Sequence, residues 1–200
     1  MSATILVTGF ETFGPHETNP TEAAMSLLPE EIGAARIVTA VLPVEFGRCG
    51  EEAVRLVEEH VPQAVVLTGV AGGRPEITPE RIAVNVRDTG GEESFADNAG
   101  YAPIDVPIRE GGPDGIFATL PNRAIVATLK AAGIPAALSS TAGTYICNET
   151  MYAVLDALAA LAPPEVPAGF IHVPTIAEMP LETIVRGLEV AIEVVAAEFV

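Results

Sequence analysis

Apolar residues recur along the chain at two spacings, and their succession predicts its elements. Ile5-Leu6-Val7-Thr8-Gly9 is a short β-rich run closed by glycine, the pattern of a buried parallel strand. Asn19-Pro20-Thr21-Glu22 reads as a helix start, with Asn as the cap, Pro at the first helical position and Glu in the capping-box place. Residues 37–42 predict a second strand. Phe46, Cys49, Ala53, Leu56 and Val57 then fall three and four apart, which is one face of a helix. Residues 64–70 form another apolar strand, closed by Ala71-Gly72-Gly73, and 82–86 read as a further short strand.

Residues 88–116 break the rhythm. They are rich in Gly, Asp, Pro and Asn and read as a long excursion, a feature usually functional or disordered in a compact domain. The alternation then resumes with a helix over 121–132, a strand over 135–140, a helix over 147–161, a strand over 169–173 and an amphipathic helix over 181–199. Strands alternating with helices predict a mostly parallel sheet covered on both faces. No repeat or boundary divides residues 1–200, so a single domain is expected.

Composition narrows the function classes. Apolar residues make up 49% of the chain, too many for a disordered polyelectrolyte, yet no uninterrupted run reaches membrane-helix length. The net charge of −17 would repel nucleic acid and anionic lipid, which excludes both as expected partners. No basic side chain precedes Arg36, so a secretory signal is not expected, and a cytoplasmic protein is. Two cysteines, Cys49 and Cys147, are too few for a disulfide framework or a thiolate zinc site. His16, His60 and His172 are scattered without ligand spacing, so no metal is expected.

Sites in open α/β sheets form at the carboxyl ends of strands. Three such ends carry unusual residues. The first holds Phe10 and Phe13 between Gly9 and Gly14, either plugging the core edge or clamping a flat ligand. The second, Ser140 to Asn148, runs through a Gly-containing turn into a helix whose first turn bears Cys147. There the helix dipole and free amides favour a thiolate and could stabilise an oxyanion, although a lone cysteine is often structural. Cys49, on the apolar face of a helix, is expected in the core. The third end carries His172 before Pro174, a core histidine or the base for a neighbouring nucleophile. A third group would orient the imidazole, and Glu80 in Ile77-Thr78-Pro79-Glu80-Arg81 is the choice among 27 acids.

At these residues the sequence resembles the pyroglutamyl peptidase I family of cysteine peptidases. The likeness runs through Ile5 to Glu11 with Phe13-Gly14 and Asn19-Pro20-Thr21, through Gly72-Gly73-Arg74 and Ile77 to Asn85, and through Val106 to Glu110. It continues through Ala142-Gly143 to Cys147-Asn148 and Gly169 to Pro174. It implies a three-layer α/β/α sandwich with Cys147 as nucleophile, His172 as base and acid, and Glu80 as orienter. It implies a cytoplasmic homotetramer, without metal or organic cofactor, that releases N-terminal pyroglutamate from peptides through a thioester. By the same resemblance Phe10 and Phe13 wall the ring pocket, Tyr145 and Ile146 line it, and backbone groups near Val70 and Ala71 meet the lactam edge.

Two departures from the family pattern stand out. Residues 88–98 lack the arginine that many members carry after the Glu block, with Phe95 offering an apolar contact instead, and Val70 stands where several bacterial members have Gln. The altered segment leaves open a catalytically silent relative that only binds pyroglutamyl peptides or partners. A nucleoside phosphorylase on a similar fold would need a phosphate site, and no clustered Arg or Gly-rich phosphate loop is present.

Overall fold

The computed structural model describes residues 2–14, 18–90, 95–161 and 166–199. Its core is a sheet whose buried strands are built from the apolar runs. Strand β1 (Ala3–Phe10) lies between β3 (Ala35–Leu42) and β4 (Ala64–Val70), parallel to both, and β4 pairs in parallel with β8 (Ala168–Val173). Two-residue strands close the edges antiparallel: β2 (Glu31–Ile32) on β3, and β5 (Thr78–Pro79) on β8. The order is β2-β3-β1-β4-β8-β5.

Helices cover both faces, as the alternation predicts. Helices α1 (Pro20–Leu27), α3 (Asn122–Ala131) and α5 (Leu181–Ala196) bury Met25, Ile125, Leu129, Leu188 and Ile192 against one face. Helices α2 (Arg48–His60) and α4 (Ile146–Ala159) bury Cys49, Ala53, Met151 and Leu155 on the other. The start of α1 is as read: Asn19 Oδ1 accepts the Thr21 N–H at 3.0 Å, and Pro20 is the first helical residue. Gly9 lets this helix approach β1, since a Cβ there would lie 2.5 Å from the Thr21 carbonyl oxygen.

The structure departs from the sequence reading in four places. Residues 135–140 make isolated parallel bridges, Ile77 with Ala136 and Glu80 with Ser139, rather than a continuous strand. The cause is Pro79. Ile77, Ala137, Ser139 and Arg81 all donate across this seam, but Pro79 has no N–H for the middle rung. Residues 82–84 form β6, which pairs with β7 (Gly115–Phe117) in a separate two-stranded sheet. Phe46 precedes α2 instead of lying on it, and α5 ends at Ala196, followed by a 3-10 turn. The excursion, so far as it is described, is tied down: Arg87 and Val106 exchange backbone hydrogen bonds, and the Asp97 carboxylate accepts the amides of Phe46, Ala99 and Tyr101. Residues 91–94 of that segment and His16 lie outside the described residues. Among the described residues, no helix is long and apolar enough to cross a membrane.

Candidate active site

Three chain segments converge at the carboxyl end of the sheet. His172 sits near the end of β8, buried, with its imidazole against the Phe170 ring at a centroid separation of 4.8 Å. Glu80 follows β5, which runs antiparallel along β8, so the two side chains meet across that seam. Glu80 Oε1 lies 2.8 Å from His172 Nδ1. Glu80 is fully buried, and its backbone is fixed by the Phe170 carbonyl and by the Asn122 side-chain amide. A carboxylate can only accept, so this contact sets Nδ1 as the protonated nitrogen and leaves Nε2 as the basic one.

Cys147 arrives from the opposite side, as the second residue of α4. Gly143 makes the turn into that helix at φ 80, a left-handed conformation that suits glycine. Asn148 then anchors the helix start, accepting the Val84 N–H at 2.9 Å and donating to the carbonyls of Val84 and Val86. The thiol rests over Gly69, which is the β4 partner of His172. A Cβ at Gly69 would lie 2.9 Å from Cys147 Sγ and 2.7 Å from the Phe170 ring, so only a bare backbone fits there. Sequence reasoning passed over Gly69, since nothing in a strand marks which glycine faces a thiol. The first helical hydrogen bond of α4 runs from Glu149 N to the Tyr145 carbonyl. The amides of Ile146, Cys147 and Asn148 therefore precede the helical ladder, where developing negative charge is stabilised.

The resting charge state differs from the expectation. Burial pushes the Cys147 thiol up to about 12, the Glu80 carboxylate adds to the rise, and Arg74 opposes it. The first-turn position does not overcome these effects, and the resting thiol stays protonated. Cys49 is in the core as expected, and its thiol is also pushed up, first by burial and then by Glu149.

A narrow cavity of about 50 Å³ opens beside the thiol. Phe10, Phe13, Val70, Tyr145 and Ile146 line it with Cys147, as predicted. Val44 and Asn19 join them, and neither was singled out in the sequence. Ala71 does not line it, and its N–H is committed to the Val173 carbonyl at 2.9 Å, which leaves Val70 as the backbone position at the cavity. Phe95 is 59% exposed and is not part of the lining either.

The wall is stiffened by rings. Phe10 stacks on Phe170, and Phe13 packs against Tyr145, which Phe46 meets edge-on at 5.2 Å. The Tyr145 hydroxyl donates to the Ala96 carbonyl, and burial raises its pKa to about 12, so it stays protonated. Phe46 backs this wall from behind Tyr145, its amide held by Asp97, a contact with no signature in sequence spacing. Among the described residues, no charged side chain lines the cavity.

The comparisons with known proteins agree with this geometry. A family model described as pyroglutamyl peptidase matches residues 3–198. The pyrrolidone-carboxylate peptidase of Thermococcus onnurineus is 50% identical, across 94% of this chain and 96% of its own. That of Coprothermobacter proteolyticus is 45% identical, across 96% of each. Among solved structures, a mutant pyrrolidone carboxyl peptidase from Pyrococcus furiosus matches with a TM-score of 0.92 at 39% identity, covering 98% of this chain and 100% of that one. Pyroglutamyl peptidase I from Bacillus amyloliquefaciens gives 0.90 at 35%, covering 98% and 96%. With Cys147, His172 and Glu80 converging at one end of the sheet and the match running almost end to end, this chain belongs to the pyroglutamyl peptidase family.

Proposed function

We propose that this chain is a thiol exopeptidase that removes an N-terminal pyroglutamyl residue from peptides, with Cys147, His172 and Glu80 as its catalytic triad. The observation that carries the reading is the ring-walled cavity at Cys147, uncharged among the described residues, beside an imidazole locked by a buried carboxylate. Pyroglutamate is a flat neutral lactam, and a wall of Phe10, Phe13 and Tyr145 suits it better than it suits a charged amino terminus. Desolvating an ammonium there without a partner would be costly.

The chemistry follows from the placement. His172 Nε2 takes the Cys147 proton as the sulfur attacks the pyroglutamyl carbonyl carbon. The first-turn amides of α4 stabilise the resulting oxyanion. The imidazolium, held by Glu80, then protonates the leaving peptide amine, and the C–N bond breaks to give a thioester. Water, deprotonated by His172, hydrolyses the thioester, releasing pyroglutamate and restoring the thiol. A silent binding role would not need the 2.8 Å contact between Glu80 and His172.

The reading extends to residues 1–200 acting as one catalytic domain, in a cytoplasmic homotetramer without metal or organic cofactor. Hydrolysis of a chromogenic pyroglutamyl amide by the wild type and by Cys147→Ser is the direct test. Turnover by the wild type alone is expected. Binding of pyroglutamyl peptides without turnover would favour the silent relative.

A further inference from the structure

Among the described residues, Arg74 is the arginine drawn into the buried end of the site. Its Nη1 donates to Glu80 Oε1 at 2.8 Å, the same oxygen that faces His172 Nδ1. The guanidinium also reaches Thr78 Oγ1 at 3.2 Å and the Thr141 carbonyl at 3.4 Å, so it straddles the loops on either side of Glu80. Glu80 is fully buried, and its other oxygen, Oε2, has no hydrogen-bond partner among the described residues.

A buried carboxylate in that position needs a counter-charge. Arg74, with Nη1 2.8 Å from Glu80 Oε1, supplies it. The other groups around Glu80 are His172 from β8, Cys147 from α4, the uncharged Asn122 from α3 and Ser139 from the bridge segment. Of these, only Arg74 carries charge throughout the cycle.

We propose that Arg74 is a positioning residue for the reaction, holding Glu80 charged so that His172 keeps its proton on Nδ1 and its lone pair on Nε2. Without the guanidinium, a proton from solvent neutralises the carboxyl as pH falls. A protonated Glu80 then donates to Nδ1, the imidazole carries its hydrogen on Nε2, and it cannot accept the Cys147 proton. Arg74 thus sets how far into acid the enzyme works. Its charge also lowers the Cys147 thiol. This rests on the triad reading above.

The test is the pH profile of kcat/KM for hydrolysis of a pyroglutamyl amide by the wild type, Arg74→Gln, Arg74→Lys, Glu80→Gln and the Arg74→Gln/Glu80→Gln double variant. Arg74→Gln is expected to move the acid limb up by about one pH unit, a roughly tenfold loss on that limb. Arg74→Lys, which keeps a charge but loses the fork, is expected to lose rate with the limb near its wild-type place. Because Glu80→Gln has no carboxylate to neutralise, adding Arg74→Gln should not move its acid limb further. An Arg74→Gln profile parallel to the wild type, or the same acid shift in the Glu80→Gln background, would overturn the assignment. Should Arg74→Gln not fold, an acid shift in Arg74→Lys as large as one pH unit would also count against it. Activity surviving in Cys147→Ser would instead overturn the triad and leave the Arg74 contact as a structural clamp.

Discussion

The two sides of the cavity are built differently. On the base side, Glu80, His172 and Arg74 are joined by contacts of 2.8 Å between mostly buried groups, on a strand and the segment packed beside it. On the recognition side, Phe13, Tyr145 and Phe46 come from three separate loops and meet by ring packing at 5.2 to 6.4 Å. Proton transfer demands fixed atoms and distances. Binding a neutral ring demands shape and apolar area, which several combinations of rings supply. Substitutions should therefore act steeply and on kcat on the base side, and shallowly and on KM on the recognition side.

The largest expected effect is at the nucleophile. Cys147→Ser should lose at least about 10³-fold in kcat, since a serine hydroxyl is a far weaker nucleophile in the same geometry. Steady-state kinetics with an unchanged unfolding temperature checks it. Glu80→Gln should follow, with a loss of roughly 10²–10⁴-fold in kcat and a modest change in KM, the pattern of a lost imidazole orienter. An unchanged kcat would remove Glu80 from the account. Gly69→Ala comes next: its Cβ must displace both the thiol and the Phe170 ring. A destabilisation of about 1–3 kcal/mol in denaturant melts is expected, together with a drop in kcat. Phe13→Ala, on the other side, should raise KM about tenfold with kcat nearly kept, the amount expected for an exposed-to-buried ring contact of about 1–2 kcal/mol. If kcat falls instead and KM holds, the contrast between the two sides fails.

The smallest effect is one of pH. The Cys147 thiol and the Tyr145 phenol both titrate higher in the fold than in an unfolded chain, because burial disfavours their charged forms. Above the unfolded thiol value, near pH 8.5, the unfolded state has released protons that the native state still holds. Stability is therefore full below that pH and declines as pH rises toward about 12. Melting temperatures across the alkaline range report it, and a flat profile would show that neither group is buried as described. Iodoacetamide should still find Cys147 well before Cys49, which is wholly enclosed.

Much of this was legible in the residues. The parallel runs, the Asn19 cap and the three strand ends follow from spacing and capping chemistry, and the resemblance pointed to Cys147, His172 and Glu80, which the fold brings to one end of the sheet. What escaped the sequence depends on contacts between distant segments. Gly69 matters because α4 lays a sulfur over it, and Phe46 backs Tyr145 with its amide held by Asp97, 51 positions away. The expected thiolate failed for a related reason: first-turn position is visible in a sequence, whereas the burial and the Glu80 field that oppose it are not. Ala71 was lost from the pocket because its amide is taken by the neighbouring strand.

The central claim is that acyl transfer passes through Cys147. Acid quenching during turnover of a pyroglutamyl amide, followed by peptide mass spectrometry, tests it most directly. The account predicts one pyroglutamyl group in thioester linkage on the peptide bearing Cys147, absent in Cys147→Ser. Steady turnover with that peptide unmodified, or with the acyl group on Cys49, would contradict it.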